Sequence, residues 1–321
     1  MVSQPFARES GGAPRDEHLP PRHDVPAGGR SGFVRLGARQ VHYLEWGHAK
    51  RPAVVCLHGG GQTAYMFEPL GAALAGRFHV LAWDSADHGD SDPFFEGPGA
   101  DEPFGRHALA ADAGPLCAEF GIRRAVFVGA SMGGIVSVTI AVTEPELVGG
   151  VVLLDVGHRL EPGGVRRITD FMAAHESFAD LDEAAAAIGE YLPGRTITQG
   201  RLTRNLRQRP DGRWVWKHGL GRRLRAQGGI NPDDGAARVI AGLDDDLRRI
   251  HRPTLVLRGS DSDVLSEAGA DELLELLPDA RYARIQGAGH LAAGDNPESF
   301  VSLVSRFLDE IGWADAGLNT G

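Results

Sequence analysis

The chain has 321 residues, 42% hydrophobic and 24% charged, a globular composition that excludes a disordered chain. A net charge of −10 argues against nucleic acid as a partner, since phosphate affinity needs a basic face. No apolar run has the length of a membrane span, and charges occupy the N-terminus where a signal peptide would be apolar, so a cytoplasmic protein with no membrane partner is expected.

Residues 1 to about 31 are rich in Gly, Pro and charge and read as a mobile tail. Residues 33–47 read as two short strands around the Gly37-Ala38 turn. The run from Pro52 to Leu57 is continuously apolar, as in a strand buried on both faces. A helix is expected over 66–75, a strand over 78–83 and a helix over 105–120. A strand over 125–129, a helix from Met132 and a strand over 149–155 follow. Residues 157–250 break this rhythm with Ala-rich helical patterns, a basic island and acidic stretches. From Pro253 it resumes, with strands over 254–259 and 281–286 and helices over 267–277 and 297–311. Strands separated by crossover helices imply an α/β fold with a mostly parallel eight-stranded sheet. The irregular stretch reads as a helical cap inserted after the sixth strand, between core segments 32–156 and 251–312.

Gly129-Ala130-Ser131-Met132-Gly133 is a G-x-S-x-G motif between a strand and a helix, the context in which that motif carries meaning. A sharp strand-to-helix turn lifts the serine hydroxyl clear of the sheet and aims helix N–H groups at developing negative charge. Ser131 is therefore the expected nucleophile. His58-Gly59-Gly60-Gly61 follows the strand ending at Leu57, and a glycine run there lets backbone N–H groups approach a substrate oxygen. The N–H groups of Gly60 (or Gly61) and Met132 are the expected oxyanion hole, with His58 packed under the loop.

A serine hydroxyl needs a base. Of thirteen histidines, His290 in Gly287-Ala288-Gly289-His290 lies in the loop after the last strand, where it can swing over Ser131. The imidazole needs a carboxylate. Asp263 and Asp261 follow the strand ending at Gly259, and Asp155 at the end of the sixth strand is a third candidate. Asp84, Asp87, His88, Asp90 and Asp92 crowd one loop but lack the ligand spacing of a hard-cation site, so they read as acidic turn residues. Cys56 and Cys117 sit in apolar runs and read as free buried thiols of a reducing compartment. No metal and no cofactor is implied.

Over roughly residues 32–311 the chain resembles the α/β-hydrolase superfamily, on the strength of His58–Gly61, Gly129–Gly133, the acidic turn at 259–263 and Gly287–His290. It is also similar to a bacterial subgroup of serine hydrolases with HGGGQT and GASMGG motifs. That subgroup's Ser-Asp pair corresponds to Ser262-Asp263, which ranks Asp263 first and Asp261 second as the triad acid. One departure is clear: relatives commonly read D-x-R-G-H-G-x-S after the fourth strand, and here Ala86 and Asp87 replace the arginine and glycine.

Between Arg195 and Arg225 ten basic residues face one acidic residue, Asp211. Most of these arginines read as a solvated face. Trp214 and Trp216 stand in this basic island and read equally as pocket wall or as packing of the cap on the core. Gly61, Trp214, Trp216 and His158 are the candidate substrate contacts. The expected function is hydrolysis of an ester, lactone or related acyl bond of a small molecule. Left open are C–C bond hydrolysis or cofactor-free peroxidation by the same triad, a non-catalytic small-molecule receptor, and a homodimer. An aspartate where Ser131 stands would be needed for epoxide hydrolase or haloalkane dehalogenase chemistry.

Overall fold

A computed structural model describes residues 25–94, 105–219 and 240–315. Most of the expected tail, residues 1–24, lies outside the described residues. The folded part starts earlier than residue 32, however. Trp46 donates its indole N–H to the Ala27 carbonyl, the Ala27 N–H is accepted by Glu68, and the first strand opens at Arg30.

The expected hairpin is β1 (Arg30–Leu36) and β2 (Arg39–Trp46). Next come β3 (Ala53–Leu57), α1 (Glu68–Leu74) and β4 (His79–Trp83). The single helix expected over 105–120 is two, α2 (Arg106–Ala110) and α3 (Ala113–Glu119). Pro115 has no N–H for the Ala111 carbonyl, so the chain restarts its helix at Asp112, where a proline fits the first turn. The first half closes with β5 (Ala125–Ala130), α4 (Met132–Thr143) and β6 (Val148–Leu154).

The insert holds α5 (Pro162–Ala174), β7 (Ser177–Phe178), α6 (Leu181–Tyr191), α7 (Gln199–Asn205), β8 (Leu206–Gln208) and β9 (Trp214–Trp216). Its strands form a three-stranded sheet in the order β7-β9-β8, so the cap is not purely helical. Two- and three-residue strands are too short to leave a readable alternation in the sequence. Residues 220–239, including Arg222, Arg223 and Arg225 of the basic island, lie outside the described residues. The cap also ends sooner than residue 250. Leu243 and Leu247 of α8 (Leu243–Arg248), with Ile250, sit at helical spacing and are buried in the core cluster beside α4. The second half follows as β10 (Thr254–Gly259), α9 (Glu267–Leu276), β11 (Ala280–Ile285), α10 (Ala292–Asp295) and α11 (Pro297–Glu310).

The eight strands of the core sheet lie in the order β1-β2-β4-β3-β5-β6-β10-β11. Only β2 runs against its neighbours. Alternate residues of each strand feed two apolar layers, Val55, Phe127 and Val151 on one face and Val54, Val128 and Val152 on the other. From β3 the chain builds outward to β4 and then returns to β5 on the other side. The loops after β3 and β5 therefore part at the carboxyl edge of the sheet, where an open α/β sheet leaves a crevice. Ser131 and the glycine run occupy those two loops. Among the described residues, no helix is long and apolar enough to cross a membrane.

Candidate active site

Ser131 has φ of 48° and ψ of −116°, a conformation that costs a non-glycine residue about 1–3 kcal/mol. The elbow persists because its neighbours are small. A Cβ at Gly133 would lie 2.0 Å from the Leu57 carbonyl oxygen, and one at Gly129 2.3 Å from the Gly133 carbonyl oxygen. Hence α4 can press against β3 and β5 only with glycine at both positions. The helix is apolar around its whole circumference and buried from Met132 to Ala141, which anchors the turn.

His290 brings the site together. Its Nδ1 donates to Asp155 Oδ2 at 2.7 Å, which leaves Nε2 unprotonated to accept from Ser131 Oγ at 3.2 Å. Asp155 is fully buried, with three donors on its carboxylate: His290, the Gly259 N–H at 3.0 Å and the Ser262 hydroxyl at 2.6 Å. It also has positive φ, 51°. Among the described residues only Asp87, Ser131 and Asp155 do so without being glycine, and two of these three meet at His290.

Asp263 does not hold His290. Its carboxylate is taken by Arg167 of α5, with contacts of 2.6 and 3.0 Å, and the pair is about two-fifths exposed. The Arg167 hydrogen bond outweighs partial burial and holds the Asp263 carboxyl below the usual carboxylate range, with a smaller contribution from the His290 charge. Asp261 is exposed and accepts from the Ser260 hydroxyl instead. The carboxylate at the histidine thus comes from the end of β6, the candidate ranked third, while Ser262 of the Ser262-Asp263 pair supports it. A signal for Asp155 was present. An aspartate ending an apolar run buried on both faces must be paired, because an isolated buried carboxylate is very costly.

The glycine loop is held from below. His58 is fully buried, donates from Nδ1 to the Gly59 carbonyl at 2.8 Å and accepts the Ser85 N–H on Nε2 at 2.9 Å. Burial pushes its pKa down, against the raising effect of Asp84. Gln62 Oε1 accepts the Gly59 N–H at 3.2 Å. The N–H groups of Gly60 and Met132 have no acceptor among the described residues, and both residues border the cavity at Ser131.

That cavity measures about 470 Å³. Cap residues Phe171, Met172, Ile188 and Trp216 form an apolar wall, and Gly61 of the glycine loop meets it directly, since a Cβ there would come within 2.8 Å of Met172 Cε. Both tryptophans pack against the small core of the cap, but Trp216 also lines the cavity and Trp214 does not. His158 is not on the cavity wall; its Nε2 lies 3.6 Å from Glu272. Cap and core are joined by ion pairs, Arg167 with Asp263, Arg195 with Asp295, Arg204 with Glu68 and Lys217 with Asp90.

The acidic loop after β4 is scaffold. His42, Asp84 and Asp90 lie close enough to suggest a metal. Yet Asp84 Oδ2 accepts from His42 Nδ1 at 2.7 Å and from the Asp90 N–H at 3.0 Å, its Oδ1 accepts the Ala64 N–H, and Asp90 pairs with Lys217. A histidine nitrogen that donates to a carboxylate cannot ligate. Asp92 accepts the Gln40 N–H. Asp87, which replaces the relatives' glycine, has φ of 61°, and Ala86 is buried in the core. Asp87 thus adopts the left-handed region that favours glycine. Cys56 and Cys117 are free and buried; burial pushes both thiols up, Cys117 to about 12, so neither is a ready nucleophile.

A family profile described as alpha/beta hydrolase fold matches residues 52–297. The chain is similar to the 2-(acetamidomethylene)succinate hydrolase of Mesorhizobium japonicum, with 28% identity over 292 residues covering 86% of this chain and 94% of that protein. It is similar to an esterase of Mycobacterium tuberculosis, with 26% identity over 289 residues covering 86% of this chain and 88% of that one. Among solved structures, an alpha/beta hydrolase from Novosphingobium aromaticivorans aligns with a TM-score of 0.71 and 27% identity, covering 88% of this chain and 98% of its own.

Proposed function

The chain belongs to the α/β-hydrolase family, and from that premise we propose a serine hydrolase that cleaves an ester-like bond of a small molecule through an acyl-enzyme. The observation that carries this reading is His290 bridging Ser131 Oγ and Asp155 Oδ2. Ser131 Oγ attacks the carbonyl carbon as its proton passes to His290 Nε2. Asp155 stabilises the imidazolium and keeps the ring in its tautomer. The carbonyl oxygen, now an anion, takes the N–H groups of Gly60 and Met132. Collapse expels the alcohol, which leaves with the proton from Nε2. Water, deprotonated by the same nitrogen, then releases the acid and restores Ser131.

An ester, lactone or related acyl compound fits these steps, and the similarity to an esterase supports the ester. The mostly apolar wall supports an apolar portion in the substrate. The buried thiols are compatible with the cytoplasm as the site of action. The test is Ser131→Ala assayed with short-chain 4-nitrophenyl esters and a fluorophosphonate probe. Turnover and labelling are expected to vanish together in a folded variant. Undiminished turnover refutes the nucleophile, and absence of labelling in the wild type alongside tight ligand binding points to a receptor.

A further inference from the structure

The protein is strongly acidic, yet its cavity wall is not. Four arginines border it, Arg167, Arg195, Arg201 and Arg204. Three are spoken for: Arg167 by Asp263, Arg195 by Asp295 and Arg204 by both oxygens of Glu68. Each of these pairs ties cap to core and leaves no net charge behind. Arg201 differs. Its guanidinium makes one long contact, from Nη1 to the Thr196 carbonyl at 3.5 Å, and no carboxylate meets it among the described residues. It has five N–H donors, so most of the fork is uncommitted. The side chain is exposed to solvent while it borders the cavity that Ser131 and His290 also border.

We propose that this site takes a monoanionic acyl substrate, one that carries a carboxylate away from the scissile bond, and that Arg201 reads that carboxylate. The proposal rests on the hydrolase reading above. Among the described residues the wall has a single uncompensated positive charge, which matches a carboxylate better than a phosphomonoester of charge near −2. The guanidinium fork suits a carboxylate through two parallel hydrogen bonds, and the mostly apolar wall accepts the chain between the two ends. Arg201 lies on α7, in the same cap that supplies Trp216, so one structural unit would recognise both chain and charge. The three ion pairs neutralise the rest of the arginine cluster where it stands, which makes recognition specific to one position instead of general to a basic surface.

The experiment compares kcat/KM for 4-nitrophenyl half-esters of dicarboxylic acids, adipic to azelaic, with the neutral 4-nitrophenyl esters of straight-chain acids of equal length. The wild type is expected to prefer the half-ester at one or more lengths, and the preference should decline with added salt. In Arg201→Gln the half-ester to neutral ratio is expected to fall about tenfold, the lower end for a hydrogen-bonded charge at an exposed site. Arg201→Lys should keep part of the ratio. Arg166→Gln, a change at an exposed arginine outside the cavity wall, should leave the ratio as in the wild type. A wild type with no preference at any length, or an unchanged ratio in a folded Arg201→Gln, overturns the proposal while leaving hydrolysis intact. Turnover of neither ester series removes the hydrolase reading itself.

Discussion

Ser262 is predicted to position Asp155, and its removal should be felt in turnover. Its hydroxyl oxygen accepts the N–H groups of Val264 and Leu265, each at 3.2 Å, so its own proton has one destination, the Asp155 carboxylate at 2.6 Å. Ser262→Ala leaves a fully buried carboxylate with two donors in place of three and two backbone N–H groups without their acceptor. A hydrogen bond to a charged group contributes about 1.5–3 kcal/mol. If the loss appears in the transition state, where Asp155 faces an imidazolium, kcat falls by about tenfold to a hundredfold. KM should change little, because Ser262 is not on the cavity wall. The assay is steady-state kinetics on a short-chain ester together with a thermal melt. A residue that merely shapes the turn would lower the melting temperature and spare kcat. A folded Ser262→Ala enzyme with kcat within twofold of wild type refutes the positioning role.

Trp216→Ala is expected to raise KM by about tenfold for medium-chain esters through loss of apolar contact, whereas Trp214→Ala should lower stability without moving KM; equal effects on KM would contradict the split between them. Asp84 is predicted to contribute to acid lability. Burial pushes its carboxyl up, but the His42 hydrogen bond and charge, the His58 charge and the Ala64 N–H together hold it below its ordinary value. A carboxyl depressed in the folded state stabilises above its unfolded value, near pH 4, and loses that contribution as pH falls through the folded value. Urea midpoints between pH 7 and pH 3 should therefore fall more steeply in the wild type than in Asp84→Asn, and parallel curves would reject this source of acid lability.

Much of this was legible in the sequence because it rests on short-range chemistry. The strand runs, the elbow glycines around Ser131 and the glycine run after β3 each need particular residue types at fixed spacing, and the structure places them as expected. His290 was legible from its position after the last strand. The acid was not, because two aspartates on neighbouring strand ends can each reach a histidine, and only the fold reveals that Arg167 from the cap claims Asp263. The same holds for the cap. Its short strands, its boundary at α8 and the ion pairs that neutralise three of its arginines depend on partners far apart in the chain. The buried side chain of Asp155 was the one long-range feature with a local trace, an acidic residue directly after VVLL.

The most direct test of the account is the paired comparison of Asp155→Asn with Asp263→Asn on one ester substrate. If Asp155 orients and balances His290, Asp155→Asn should lose about 10³–10⁴ in kcat, the scale expected when the triad acid is neutralised, and Asp263→Asn should stay within about tenfold of wild type. Near-wild-type turnover in Asp155→Asn, with the large loss in Asp263→Asn, would contradict the assignment.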